Sequence, residues 1–196
     1  MNRTITSIID EMRGLEEELE QLIEEQQQDF FYNINGAKVE FEKKIMEQQK
    51  ALKASLLQWL KASRIQSILS IPFIYSMIVP LALLHITIEI YQAVCFPLYK
   101  ISKVKRANYF IADRQQLPYL NIIEKINCAY CSYGNAVIAY AREIIGLTEL
   151  YWCPIKHAKK ILGTHQHYQD FLDFGDFKDY REKTSKLREA LSNTGK

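Results

Sequence analysis

The feature that most constrains this sequence is a run of 24 residues without a formal charge, IQSILSIPFIYSMIVPLALLHITI, from Ile65 to Ile88. A helix of twenty-odd apolar residues, rising about 1.5 Å per residue, spans the roughly 30 Å hydrocarbon layer of a bilayer. The run follows 64 mostly polar residues, whereas a secretory signal peptide begins near the N-terminus. The alternative, a helix buried in a soluble core, rarely requires so long an apolar run. The sequence therefore predicts a membrane segment.

Apolar character continues to Tyr99, and 35 residues of straight helix would be about 50 Å long. Two arrangements fit this length. In one, a single helix crosses the bilayer and Glu89 emerges at its surface. In the other, Pro72 and Pro80 break the helix and the segment re-enters on the same side. Positive charge does not decide between them, since it is nearly equal on the two flanks. The flanking residues are Lys50, Lys53, Lys61 and Arg64 before the run, and Lys100, Lys103, Lys105, Arg106 and Arg114 after it.

Residues 4–28 show the spacing of a coiled-coil helix, with apolar residues alternately three and four positions apart. These residues are Ile5, Ile8, Met12, Leu15, Leu19 and Leu22. The seam predicts a long helix that pairs with a second copy of the chain or with a helical protein partner. An amphipathic helix that lies on its own domain has the same pattern.

A β-hairpin is predicted over residues 30–41, FFYNINGAKVEF, where the hydrophobic period changes to two. Asn35-Gly36 favours a type I′ turn. Such a turn would pair Ile34 with Ala37, Tyr32 with Val39 and Phe30 with Phe41, while Phe31 and Glu40 form a more polar pair. All three outer pairs are apolar, so one face of the hairpin should cover a helix or the bilayer surface.

The C-terminal half, residues 100–196, reads as a helical domain. One helix is predicted from Pro118 through CAYC, a break at SYGN, and a second helix over AVIAYAREIIGLTELYW, followed by shorter helices. The predicted fold is mainly α, with an N-terminal region over 1–64, a membrane segment over 65–99 and this C-terminal domain.

Three cysteines and a histidine have the form C-x2-C-x21-C-x3-H. They are Cys128, Cys131, Cys153 and His157. Thiolate and imidazole are the ligands of structural Zn2+, and thiolates also hold iron–sulfur clusters. The two pairs meet only if the chain folds back near Gly146, because one straight helix between them would hold them apart. Reduced thiols in a core, or a redox-active or intermolecular arrangement, are the other interpretations.

Two further pairs of polar residues are candidate sites. His85 and Glu89 share a helical face within or beside the apolar run, where a charge suggests a function. Hydration at the membrane interface is the preferred interpretation, since Glu89 falls where the helix would leave the bilayer. His165 and His167 do not share a helical face, which favours a surface loop over a ligand pair.

Charge is unevenly distributed: residues 1–64 carry a net −3 and residues 99–196 a net +6. The basic half suits an anionic lipid surface better than nucleic acid, for which no binding motif is present. No catalytic or nucleotide-binding motif is found, so a non-enzymatic role is favoured. A metal site would place the C-terminal domain in the cytoplasm, where thiols stay reduced.

The segments YQAVCFP, CAYCSY and YWCPIKHA, with FYNINGAKVEF, resemble a family of small bacterial predicted membrane proteins of uncharacterised activity. The resemblance covers about residues 15–180 and implies a bacterial origin and membrane association. The expected location is the bacterial inner membrane. It assigns no role to the cysteines. The expected function is a membrane-anchored scaffold or assembly protein with a metal-binding C-terminal domain. A membrane redox component and a lipid-remodelling factor built on the re-entrant hairpin are the alternatives.

Overall fold

The structure, a computed structural model, describes residues 5–30, 32–36 and 38–193 of the 196-residue chain. It is mainly helical with one two-stranded antiparallel sheet, which confirms the predicted fold class. The chain divides into two compact units, Met1–Ala62 with Ala112–Ile126 and Ser63–Ile111 with Asn127–Lys196. The segment 112–126, expected in the C-terminal domain, is thus grouped with the N-terminal region.

Within the described residues of its N-terminal part, the first unit contains the helices α1 (Ile5–Asp29), α2 (Lys43–Ala51) and α3 (Leu56–Ala62). A capping box starts α3, since the Ser55 N–H donates to Gln58 Oε1 at 3.1 Å and the Gln58 N–H donates to Ser55 Oγ at 3.3 Å. The long α1 confirms the helix predicted over 4–28. The side chains of Ile5 and Ile8, which begin the predicted seam, lie outside the described residues.

The predicted hairpin is present as β1 (Tyr32–Asn35) and β2 (Lys38–Phe41), but its register differs from the prediction. Tyr32 pairs with Phe41 and Ile34 with Val39, and Asn35 closes the ladder opposite Lys38. The predicted partners Phe31 and Ala37 lie outside the described residues. Both registers keep the same side chains on one face, so alternation alone does not distinguish them.

The apolar face of the hairpin lies beside other residues of the same unit. It lines a cavity of about 310 Å³ together with residues between Asp113 and Tyr119. The Val39 N–H donates to Gln116 Oε1 at 2.9 Å across this contact. Strand β2 and residues 112–126 are therefore joined by a hydrogen bond within the first unit.

The second unit begins with α4 (Ile65–Ser76) and α5 (Ile78–Tyr99). Pro72 lies inside α4 without ending it, and Met77 separates the two helices with helical backbone angles (φ −64°, ψ −14°). Pro80 has no N–H to donate to the carbonyl of Ser76, which accounts for the interruption. One residue with helical angles does not reverse the chain, so the two prolines interrupt the helix without making a turn at Met77. The single crossing and the re-entrant segment both stay predictions.

A single 31-residue helix, α6 (Ile122–Trp152), replaces the two helices predicted there. A capping box fixes its start, because Asn121 Oδ1 accepts the Glu124 N–H at 3.1 Å and a Glu124 carboxylate oxygen accepts the Asn121 N–H at 2.8 Å. The core of the second unit forms where α5 packs on α6 and on α7 (Tyr180–Asn193). Its buried residues are Ile88, Phe96, Ile101, Tyr140, Ala141, Ile144, Leu147, Leu150, Phe171 and Leu191.

Candidate functional site

The four predicted metal ligands do not come together within one chain. They are Cys128, Cys131, Cys153 and His157. Helix α6 runs without interruption through Gly146, so the predicted break there is wrong. The 22 positions between Cys131 and Cys153 correspond to about 33 Å of helix. The fold-back on which the four-ligand site depended therefore does not occur.

The two glycines of α6 allow close packing rather than ending the helix. A Cβ added at Gly146 would lie 2.8 Å from both Cγ and Nδ1 of His165, far inside ordinary contact distance. At Gly134 the nearest atom to such a Cβ is Leu81 Cδ1, at 3.3 Å. The sequence shows the glycines but not the side chains that approach them, which is why they were interpreted as helix ends.

The cysteines of the second unit are free thiols, and Cys131 and Cys153 are exposed. His157 has a different environment, since its N–H donates to the Tyr168 hydroxyl at 2.7 Å and its ring stacks on Tyr168. Among the described residues, no group of three or more His, Cys, Asp or Glu side chains is arranged to hold a metal ion. Binding of zinc or an iron–sulfur cluster by the four residues stays a prediction, and in this structure it would need ligands from a second copy.

The segment Ile65–Tyr99 is long and apolar enough to cross a membrane, and its most apolar stretch of 18 residues has a mean hydropathy of 2.1. One side of α5 presents a continuous row of large apolar side chains, each between 57 and 72 % exposed. We call this row the outer stripe; it consists of Leu83, Ile86, Ile90, Val94 and Leu98. A contiguous apolar surface of this kind is unfavourable in water and marks a contact with lipid or protein.

The opposite side of α5 carries polar residues that face α6. The side chain of His85 is only 13 % exposed; its Nδ1 lies 3.2 Å from the Tyr133 hydroxyl and its ring stacks on Phe110 with centroids 4.8 Å apart. Glu89, 39 % exposed, places Oε1 at 3.6 Å from His85 Nε2. Hydration at an interface therefore suits Glu89, but this interpretation is wrong for His85.

A buried hydrogen-bond chain continues along the same side of α5. Gln92 Nε2 donates to the Tyr140 hydroxyl at 2.7 Å, and Gln92 Oε1 accepts the Val104 N–H at 2.6 Å. Burial raises the pKa of Tyr140, and the negative charge of Glu89 raises it further. These bonds join α5 to α6 and to Val104, so the buried polar side chain of Gln92 has partners within the protein.

A second histidine cluster joins α6 to the chain that follows it. His167 Nε2 lies 2.7 Å from Glu143 Oε1, and His165 Nε2 lies 3.2 Å from Glu149 Oε2. Each histidine thus has its own carboxylate, one on either side of Gly146. Sequence reasoning placed His165 and His167 in a surface loop and missed these contacts, because the partners are 16 and 24 positions away. The sequence feature that could have indicated these contacts is Gly146, which leaves room for a neighbouring side chain between Glu143 and Glu149.

No protein-family model, curated protein or solved structure significantly matches the chain. The resemblance to small bacterial predicted membrane proteins accordingly stays a prediction. Two features of the molecule bear on its function: the outer stripe, and the contact between the residues before and after the apolar segment.

Proposed function

We propose that this chain is a membrane-bound, non-enzymatic scaffold or assembly protein. The observation that carries the proposal is the two-sided character of α5. Its outer stripe is apolar and exposed, while its polar residues, among them His85 and Gln92, face α6 and are hydrogen-bonded there. Lipid covers such a stripe without removing water from any polar group, and burial contributes roughly 25 cal/mol per Å² of apolar surface.

Both flanks of the apolar segment lie, in this proposal, on the same side of the bilayer. Residues before and after the segment belong to one compact unit, in which the Val39 N–H donates to Gln116. A helix that crossed the bilayer once would place positions 39 and 116 on opposite sides. Because the chain does not turn between α4 and α5, a segment that lies in the plane of the bilayer is favoured over a single crossing. The nearly equal positive charge of the two flanks supports this same-side arrangement.

The location that suits this protein best is the cytoplasmic side of a bacterial inner membrane. Cys131 and Cys153 are exposed free thiols, and exposed thiols stay reduced in the cytoplasm but not in the periplasm. The C-terminal domain would then be cytoplasmic, together with the first unit.

Vesicle flotation of the full chain tests membrane binding. We expect the protein to float with phosphatidylglycerol-containing vesicles and to resist extraction by alkaline carbonate. Replacing Leu83 and Ile86 with lysine should abolish flotation, because a lysine in the hydrocarbon layer costs about 2.5–3.5 kcal/mol. The matched control, Ile161→Lys with Leu162→Lys, places the same two charges outside the segment and should float normally. Flotation of both variants alike would contradict the proposal.

Maleimide labelling of sealed vesicles tests the same-side arrangement. One protein keeps Cys131 as its only cysteine, and a second keeps only an introduced Gln21→Cys on α1. We expect both sites to react from the same face of the membrane. Reaction from opposite faces would establish a single crossing and reject the arrangement.

Thiol redox chemistry is a second candidate function, favoured by the exposure of Cys131 and Cys153. Because these thiols are far apart on one helix, a disulfide between them has to join two copies. Diamide treatment followed by non-reducing electrophoresis should then show covalent dimers. The Cys131→Ser variant should form fewer of them. Thiols that stay monomeric under the oxidant would remove this candidate, and elemental analysis of the same sample would detect zinc or iron.

A further inference from the structure

Helix α1 exposes an apolar face that no described part of the chain covers. Every side chain from Asp10 to Glu25 is exposed. Four of them form the described part of the predicted seam, here called the α1 seam, and are between 50 and 59 % exposed. They are Met12, Leu15, Leu19 and Leu22. Their spacing of three and four residues is that of a and d positions, which normally insert into a facing helix.

The charge around the α1 seam is strongly one-sided. The helix carries nine acidic residues against Arg13 alone, a net charge of −8. With Met12 at a and Leu15 at d, Glu16 occupies an e position, and Glu18 and Glu25 occupy g positions. The e and g residues lie beside the seam and contact the flanks of a partner helix, so they decide which helix pairs.

We propose that the α1 seam is the docking surface for a basic amphipathic helix of another protein, with lysine or arginine at its own e and g positions. The inference rests on the proposed scaffold function and deepens it, since it names the chemical class of the partner. Lysine or arginine opposite the glutamates would complement a charge that the seam itself leaves unbalanced.

Other occupants fit the charge less well. A second copy of α1 would bring another net charge of −8 against the first, and like charges beside a helical seam are destabilising. The basic helices α2 and α3 have nine and seven residues, too short to cover the seam. An anionic lipid surface would repel an acidic helix.

The test uses the full chain in detergent and two designed helical peptides of about four heptads. Both peptides have leucine and isoleucine at a and d; one has lysine at e and g and the other has glutamate. Fluorescence anisotropy should show binding of the basic peptide, weakening as salt increases, and at least about tenfold weaker binding of the acidic peptide.

Charge reversal supplies the matched variants. Glu16→Lys, Glu18→Lys and Glu25→Lys together should weaken binding of the basic peptide by about tenfold or more and strengthen binding of the acidic one. Glu17→Lys, Glu20→Lys and Glu24→Lys make the same change in net charge at b and f positions. This control should alter either affinity by no more than about threefold, since those positions face away from the seam. Circular dichroism checks that both variants keep their helix.

Three results would overturn the inference: equal binding of the two peptides, an equal loss in the two triple variants, or a dimer of the full chain that Leu19→Ser dissociates. The last result would make a second copy the occupant. Because peptide binding is measured in detergent, its failure is distinct from a failure to float with vesicles. Loss of flotation with peptide binding intact would reject membrane attachment alone.

Discussion

Helices α1 and α5 both expose large apolar residues at helical spacing, but their surroundings differ. The α1 seam is flanked by glutamates and is covered by no described residue. The outer stripe of α5 has no charge within it, and the other side of α5 is packed in the core. Exposure alone therefore does not identify what covers a surface. We infer the occupant from the charge beside the exposed residues: lipid suits the uncharged outer stripe, and a basic helix suits the acidic α1 seam.

The acidic residues near the C-terminus sharpen this contrast. Asp173 accepts from Lys156 Nζ at 2.9 Å, and Asp176 accepts from Lys183 Nζ at 2.7 Å. Sequence neighbours and nearby loops thus supply cations there. On α1 a single arginine stands among nine acids, so the helix itself supplies almost no cations.

The largest expected difference is in the free energy of unfolding, between variants of a buried and of an exposed apolar residue. Phe96→Ala removes a fully buried ring from the core of the second unit and should destabilise it by about 3–5 kcal/mol. Leu19→Ala in the α1 seam should change the free energy of unfolding by less than about 0.5 kcal/mol. Urea unfolding followed by tryptophan fluorescence and circular dichroism measures both. A comparable loss for Leu19 would mean that α1 is packed within the free protein.

Glycine substitutions provide a second comparison with opposite signs. Gly146→Ala forces His165 away from α6 and should destabilise by about 1–3 kcal/mol, whereas no atom lies within 4 Å of a Cβ at Gly14. Gly14→Ala should stabilise α1 by about 0.5–1 kcal/mol because alanine favours the helix. Thermal melts of the two variants should shift in opposite directions. A stabilised Gly146→Ala would show that His165 does not pack there.

An alkaline titration tests the polar side of α5. Burial raises the pKa of Tyr140 in the folded protein, so the tyrosine ionises first in the unfolded chain, at about pH 10. The contribution of Tyr140 to the free energy of unfolding should be constant below that pH and fall as the pH rises through the folded-state pKa. Tyr140→Phe should lower stability at neutral pH, through loss of the Gln92 hydrogen bond, and reduce the alkaline slope. Equal slopes in the two proteins would argue against a buried, neutral Tyr140.

The smallest effect concerns the paired acids. The hydrogen bond from Lys183 lowers the pKa of Asp176, so this pair stabilises the protein above the ordinary aspartate pKa and the contribution is lost as the pH falls through the folded-state value. Asp176→Asn should lower the melting temperature slightly at pH 7 and not at all once the aspartate is protonated. A difference that persists in acid would indicate a role other than this ion pair.

Local patterns were sufficient to predict much of the fold. The period of the seam predicted α1, the change to a period of two predicted the hairpin, and the uncharged run predicted the helices over Ile65–Tyr99. The hairpin register was missed because two registers place the same side chains on one face. The capping box at Asn121 and Glu124 was not recognised, and the helix start was placed at Pro118 instead.

The candidate site was less predictable because it depends on distant contacts. The glycine at position 146 inside α6 is explained by the close approach of His165, which is 19 positions away, and the histidine–glutamate pairs lie beside the same contact. The union of residues 112–126 with the first unit likewise depends on a bond between Val39 and Gln116. Periodicity reports on neighbours within a few turns and carries no such information.

The unbroken α6 carries thiols toward one end and is followed by a further thiol at the other. Cys128 and Cys131 stand toward one end, and Cys153 stands at the other. Any linkage between unlike ends is head-to-tail, and a head-to-tail contact that does not close into a ring extends into an open filament. Disulfides between unlike ends of successive copies would therefore be able to extend beyond a dimer into an open chain.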